Sequence, residues 1–234
     1  MYTVESLRKK IIEIEGKIGY VFKNKELLIL SFIHRSYVNE CREKKLNHNE
    51  RLEFLGDSVL SLIISDYLYK NYPNCPEGEL SRLRSRLVDA PSCVRYLQKL
   101  SLGEYVLLGK GEKMNDGRGR ETIYADLFEA LIGAIYLDSS FDVTNRIVMD
   151  RLLDDIQFLL NQPSCNWKAE LQDYSQKKYQ KPPQYRVVHE AGPDHSKIFH
   201  ITVLLDDKEM GLGVGPSKKE AEQAAAEQAL LNIK

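Results

Sequence analysis

The spacing of apolar residues changes character once along this chain, near residues 161–166 (NQPSCN), and that change constrains the fold more than any other feature. Ahead of it, from residue 6 to about 160, apolar positions recur at helical intervals, as in LRKKIIEIEGKIGY, RLEFLGDSVLSLIISDYLYKNY and DLFEALIGAIYLD. Convincing alternating strands are scarce there. The helical pattern breaks at 72–78 and at 109–120, the latter a Gly-rich basic stretch that reads as a loop. Behind the change, WKAELQDYSQKKY reads as a helix closed by Pro182 and Pro183. QYRVVHE, KIFHITVLL and KEMGLGV then read as a short antiparallel sheet, followed by an alanine-rich helix from 217 to about 232. The expectation is a multidomain chain: an all-α domain over residues 1–160, a linker at 161–165, and a small α+β domain of order α-β-β-β-α over 166–234.

A length of 234 residues leaves room for two such domains. No apolar stretch reaches the roughly 20 residues of a membrane span, and MYTVESLRKK runs into polar helix rather than an apolar signal core. A cytoplasmic protein without a membrane partner is expected. Cys41, Cys75, Cys93 and Cys165 are widely spaced, form no C-x-x-C pair and lack histidines at zinc-finger spacing, so they read as free thiols in a reducing compartment. With 33 basic against 34 acidic residues, overall charge does not attract a polyanion, and a nucleic-acid partner must be argued from local clusters.

Glu50, Glu53 and Asp57 stand at i, i+3 and i+7 in NERLEFLGDSVL, which at about 100° per residue puts them in one stripe about 60° wide. Leu52, Leu55 and Val59 fall on the other side, so a core helix carries this acid. Asp126 and Glu129 repeat the spacing on a second helix, among Tyr124, Leu127, Phe128, Leu131 and Ile132. Gly56 and Gly133 would let two such helices approach closely. Apolar surroundings raise the pKa of clustered carboxylates unless a cation neutralises them, and oxygen ligands suit Mg²⁺, with Mn²⁺ as a substitute. The bland alternative, an exposed acidic stripe or a set of ion pairs with Arg51 as partner, stays open on spacing alone.

In the second half Lys177, Lys178 and Lys181 follow one another, and Lys218 and Lys219 open the last helix behind a Ser217–Glu220 capping box. Residues 164–234 carry ten basic and ten acidic side chains, so anion binding requires a polarised surface. A helix start bearing two lysines is a plausible phosphate clamp, or simply a capped helix with two solvated lysines. GLGVGPSKK lacks the order of a nucleotide-binding P-loop, and no nucleotide cofactor is expected. His34, His48, His189 and His200 share no metal-ligand spacing and read as structural.

NERLEFLGDSVL resembles the signature of the bacterial ribonuclease III family. IHRSYVNE (33–40), EGELSRLRSRLV (77–88) and ADLFEALIGAIYLD (125–138) are similar to that family's other blocks, in the same order. The C-terminal segment, with GPDHSKIF (192–199) and GVGPSKKEAEQAAA (213–226), resembles a double-stranded-RNA-binding domain. The resemblance implies a metal-dependent endoribonuclease acting on double-stranded RNA as a homodimer, leaving 5′-phosphate and 3′-hydroxyl ends with short 3′ overhangs. Precursors of ribosomal RNA and structured messenger RNAs are the implied substrates. By this resemblance Glu53, Asp57, Asp126 and Glu129 are the metal-binding acids, and Asp57 and Glu129 the pair most tied to chemistry. Glu50 belongs to the outer shell or the RNA-facing rim. Gln172, Gln176 and His195 become minor-groove contacts, and Lys218 and Lys219 span phosphates across the major groove. Three departures stand out: Glu121 where a proline is frequent, Pro216 where a basic residue is usual, and Ala169 where a hydroxyl residue is common. The competing expectation is a catalytically silent RNA-binding scaffold.

Overall fold

In the computed structural model, which describes residues 3–41, 46–114, 119–161, 167–192 and 197–233, the chain divides into two units, Met1–Gln162 and Pro163–Lys234. The first is helical: α1 (Val4–Arg8), α2 (Ile11–Ile18), α3 (Lys25–Ser31), α4 (Arg35–Glu40), α5 (Glu50–Asn71), α6 (Glu77–Leu87), α7 (Ala90–Leu100), α8 (Lys110–Met114), α9 (Arg120–Asp138) and α10 (Phe141–Asn161). Helix α9 is its axis. Leu127, Phe128, Leu131, Ile132 and Ile135 are all buried, as expected of a helix that is apolar on every side. Against it lies α5, whose Leu60, Ile63 and Ile64 are fully buried and contribute about 2 kcal/mol each by leaving water.

The two helices touch backbone to backbone. A Cβ at Gly56 would overlap the Glu129 carbonyl oxygen, and one at Gly133 would overlap the Leu52 carbonyl oxygen. The start of α5 is fixed by Asn49, which is buried. Its backbone N–H donates to the Ile33 carbonyl at 2.9 Å and its side-chain amide to the Ser31 carbonyl at 3.2 Å. Its own carbonyl accepts from Leu52 and Glu53, so α5 begins at a set height relative to α3.

One stretch differs from the sequence reading. The expected loop at 109–120 contains the short helix α8, because α4 supplies acceptors for its free N–H groups. Gly109 donates to Ser36 Oγ at 2.9 Å, while Lys110 and Gly111 donate to the Glu40 carboxylate at 2.8 and 3.2 Å. Such a tertiary cap leaves no trace in local apolar spacing.

The second unit runs α11 (Trp167–Tyr179), β1 (Gln184–Ala191), β2 (Ile198–Leu205), β3 (Lys208–Gly215) and α12 (Lys218–Ile233), with an antiparallel sheet in the order β1-β2-β3. Asp206 and Asp207, both at positive φ (48° and 62°), make the two-residue turn that sets Leu205 opposite Lys208. Both helices line one side of the sheet around Leu171, Val203, Leu205, Ala225, Ala229 and Leu230. The alanines sit at helical spacing toward β3, where a Cβ at Gly213 would run into Ala221 and Ala225 backbone. Ser217 Oγ accepts the Glu220 N–H at 3.2 Å, and the Glu220 carboxylate accepts the Ser217 hydroxyl at 2.8 Å. The expected Ser–Glu pairing forms, with the hydroxyl rather than a backbone N–H as the carboxylate's donor.

Among the described residues no helix is long and apolar enough to cross a membrane. Cys41, Cys75 and Cys93 are free thiols, while Cys165 lies outside the described residues.

Candidate metal centre and nucleic-acid interface

Because Gly56 and Gly133 bring α5 and α9 together, the acids of the two helices meet along the seam. Glu53, Asp126 and Glu129 each offer a carboxylate oxygen, and the three oxygens lie within 4.8 Å of one another. All three side chains are half-buried. Asp57, one turn beyond Glu53, is exposed and stands outside this triplet, though close enough to act on both glutamates electrostatically. Glu50 lies at the rim, where Arg35 Nη1 reaches its carboxylate at 3.2 Å and His48 Nδ1 stands 3.7 Å away.

The electrostatics of the triplet are those of charge without compensation. Burial, then the neighbouring Asp126, Glu50 and Asp57, push Glu53 up to about 7. Burial, then Asp57, Asp126 and Glu53, push Glu129 to about 7 as well. Asp126 is raised by burial and by Glu50. Among the described residues no ion pair reaches Glu53, Asp57, Asp126 or Glu129, and Arg51, the available cation on the same helix, forms none with them. Among the described residues these acids are therefore not held in ion pairs. The donor set fits a hard divalent ion: oxygen atoms only, close enough to share one cation, with surplus negative charge for it to neutralise.

Sequence reasoning missed one neighbour. Cys93, fully buried on α7, points its thiol at Glu129 Oε1 from 3.9 Å and at the Val88 carbonyl from 3.7 Å. Burial is the largest cause of its strongly raised pKa, with the charge of Glu129 next. It is an inert thiol against the carboxylate rather than a nucleophile. No spacing rule links α7 to α9, so nothing in the sequence pointed to it.

In the second unit Gln172 and Gln176 are exposed one turn apart on α11, and Lys218 and Lys219 are exposed in the first turn of α12. Lys218 Nζ lies 3.4 Å from Glu190 Oε1 and over the Phe199 ring. Lys219 has no ion pair among the described residues. His195 lies outside the described residues. The histidines read as structural divide. His34 caps α4, its Nδ1 accepting the Ser36 N–H at 3.2 Å, whereas His189 and His200 are paired across strands.

Fold and site together define a helical nuclease-type domain with a cluster of acids that could hold a cation, joined to an α-β-β-β-α domain of the kind that reads duplex RNA. Comparison with known proteins agrees. Residues 24–156 match the family model described as Ribonuclease-III-like, and 167–233 match the double-stranded RNA binding motif. A protein named Ribonuclease 3 from Protochlamydia amoebophila is 57% identical over 233 residues, covering 100% of this chain and 96% of the relative. Its namesake from Borreliella afzelii is 48% identical over 224 residues, covering 95% and 91%. The solved nuclease domain of ribonuclease III from Campylobacter jejuni, described for flexibility in a region involved in dimer formation, superposes with a TM-score of 0.56 at 38% identity. It covers 62% of this chain and 96% of that one. The chain belongs to the ribonuclease III family and is an endoribonuclease with a double-stranded-RNA-binding domain.

Proposed function

We propose that the chain hydrolyses phosphodiester bonds within double-stranded RNA at a divalent-cation centre held by Glu53, Asp126 and Glu129, with Asp57 beside them. The carrying observation is the triplet itself: three carboxylate oxygens within 4.8 Å, unpaired by any cation among the described residues. Mg²⁺ is the ion this oxygen set suits best, and Mn²⁺ can substitute. Such an ion supplies an acidified water, shields the phosphate and stabilises the leaving oxygen. Glu129, steadied by the Cys93 thiol, and the solvent-facing Asp57 are the acids closest to the chemistry. Glu50 stays on the rim with Arg35 and takes no part in direct ligation.

In this reading the products carry 5′-phosphate and 3′-hydroxyl ends with short 3′ overhangs, and the natural substrates are cytoplasmic ribosomal RNA precursors and structured messenger RNAs. Labour divides at residues 161–165. The domain beyond them holds A-form RNA through Gln172, Gln176 and His195 in minor grooves and Lys218 and Lys219 on phosphates. The cutting unit is a homodimer, since two antiparallel strands related by a two-fold need two matching sites. An apolar stripe along α5 supports this: Phe54, Leu62 and Tyr69 are 79%, 56% and 77% exposed. Beside Phe54 opens a hollow of about 720 Å³ lined by Leu27, Leu30, His48, Leu55 and Leu137. Incubating the chain with a plain RNA duplex, with and without Mg²⁺, tests the proposal. Metal-dependent double-strand cleavage is expected, and binding without cleavage would favour a silent scaffold.

A further inference from the structure

His189 and His200 are direct partners across β1 and β2, at the bulge between Val187 and His189. Ring centres lie 5.6 Å apart with planes inclined at 58°. Neighbouring Val203 and Leu205 on β2 face the helices, so alternation turns His200 to the helix-free side of the sheet, where it pairs with Val214 of β3. His189 is exposed and His200 half-buried. Neither imidazole has a hydrogen bond or ion pair to any described residue.

Two imidazoles sharing one Zn²⁺-like ion hold it through nitrogens at about 2.0–2.1 Å. Each ring centre then sits roughly 3.2 Å from the ion, and at a tetrahedral to trigonal angle the centres are about 5.2–5.5 Å apart. The observed ring-centre separation is within a few tenths of an ångström of that spacing. The charged neighbour Glu190 is engaged elsewhere, with Lys197 and Lys218.

We propose that His189 and His200 form a two-histidine site for a borderline divalent transition ion on the sheet of the RNA-binding domain. Its chemistry is separate from that of the acidic cluster: imidazole nitrogens select Zn²⁺, Ni²⁺ or Cu²⁺, whereas the carboxylate triplet selects Mg²⁺. Bound there, the ion staples β1 to β2.

The test is calorimetric titration of the full, untagged chain with Zn²⁺ in excess Mg²⁺, which keeps the acidic cluster occupied. Wild type should bind a Zn²⁺ that His189→Asn and His200→Asn each weaken at least ten-fold, with unchanged circular dichroism. In parallel, the imidazole proton resonances of both residues should shift together on Zn²⁺ addition. Zn²⁺ binding of equal strength in wild type and both variants, or imidazole signals that ignore Zn²⁺, would show the pair to be a ring contact and nothing more.

Discussion

Replacing Glu129 by glutamine removes a charge from the carboxylate triplet while keeping shape, and the metal-free protein should become more stable, not less, at alkaline pH. Glu129 is lifted from its ordinary value of 4.5 to about 7, chiefly by burial and then by Asp57, Asp126 and Glu53. In the unfolded chain its proton leaves near the ordinary value. Between the two values the folded state therefore holds more protons, and stability present below about 4.5 is lost as pH rises through about 7. At 1.36 kcal/mol per pH unit the full penalty is roughly 3 kcal/mol. Screening of a half-exposed group by solvent reduces it to about 1.5 kcal/mol. An amide carries no such penalty. For a unit of this size the gain corresponds to about 3–6 °C in Tm. Thermal melts in EDTA should show Glu129→Gln above wild type at pH 8 and equal to it at pH 4.5. Saturating Mg²⁺ should reverse the order, since wild type alone gains about 3 kcal/mol at a hundredfold excess over Kd. A variant no more stable than wild type at pH 8 in EDTA would refute the picture of uncompensated charge.

Gly56→Ala should cost about 2–3 kcal/mol, despite alanine's better helix propensity, because its Cβ drives α5 away from the Glu129 carbonyl. Chemical denaturation measures the loss, and Mg²⁺ affinity should fall with it. Substituting both Lys218 and Lys219 by alanine should lower the slope of log affinity against log salt by about two, as phosphate contacts disappear. An unchanged slope would place these lysines away from phosphate. Phe54→Glu should yield monomers by light scattering and lose double-strand cutting, because a charge replaces the most exposed aromatic residue of α5.

Much of this architecture was legible in the sequence because it is written in local periodicity. Helix α11 and the three strands follow the apolar spacing and its interruption by Pro182 and Pro183. The acidic stripe was also legible, since i, i+3, i+7 is a property of one helix. Joining it to Asp126 and Glu129 needed a distance between helices, hinted at only by Gly56 and Gly133. What spacing could not convey was any contact closed by tertiary structure. Helix α8 exists through acceptors on Ser36 and Glu40, some 70 residues earlier. Cys93 meets Glu129 across two helices. His189 and His200 meet because a hairpin folds one strand against the other, a separation that no metal-ligand motif uses.

The central claim is that the acidic triplet and Asp57 cut duplex RNA rather than merely accompany a binding domain. It is tested most directly by measuring, side by side, binding and cleavage of one plain RNA duplex by wild type, Glu129→Gln and Asp57→Ala. Wild type should cut both strands only when Mg²⁺ is present, while both variants bind the duplex within a few-fold of wild type and leave it intact. Cleavage by wild type in EDTA, or near wild-type cleavage by the Glu129→Gln chain, would contradict the account.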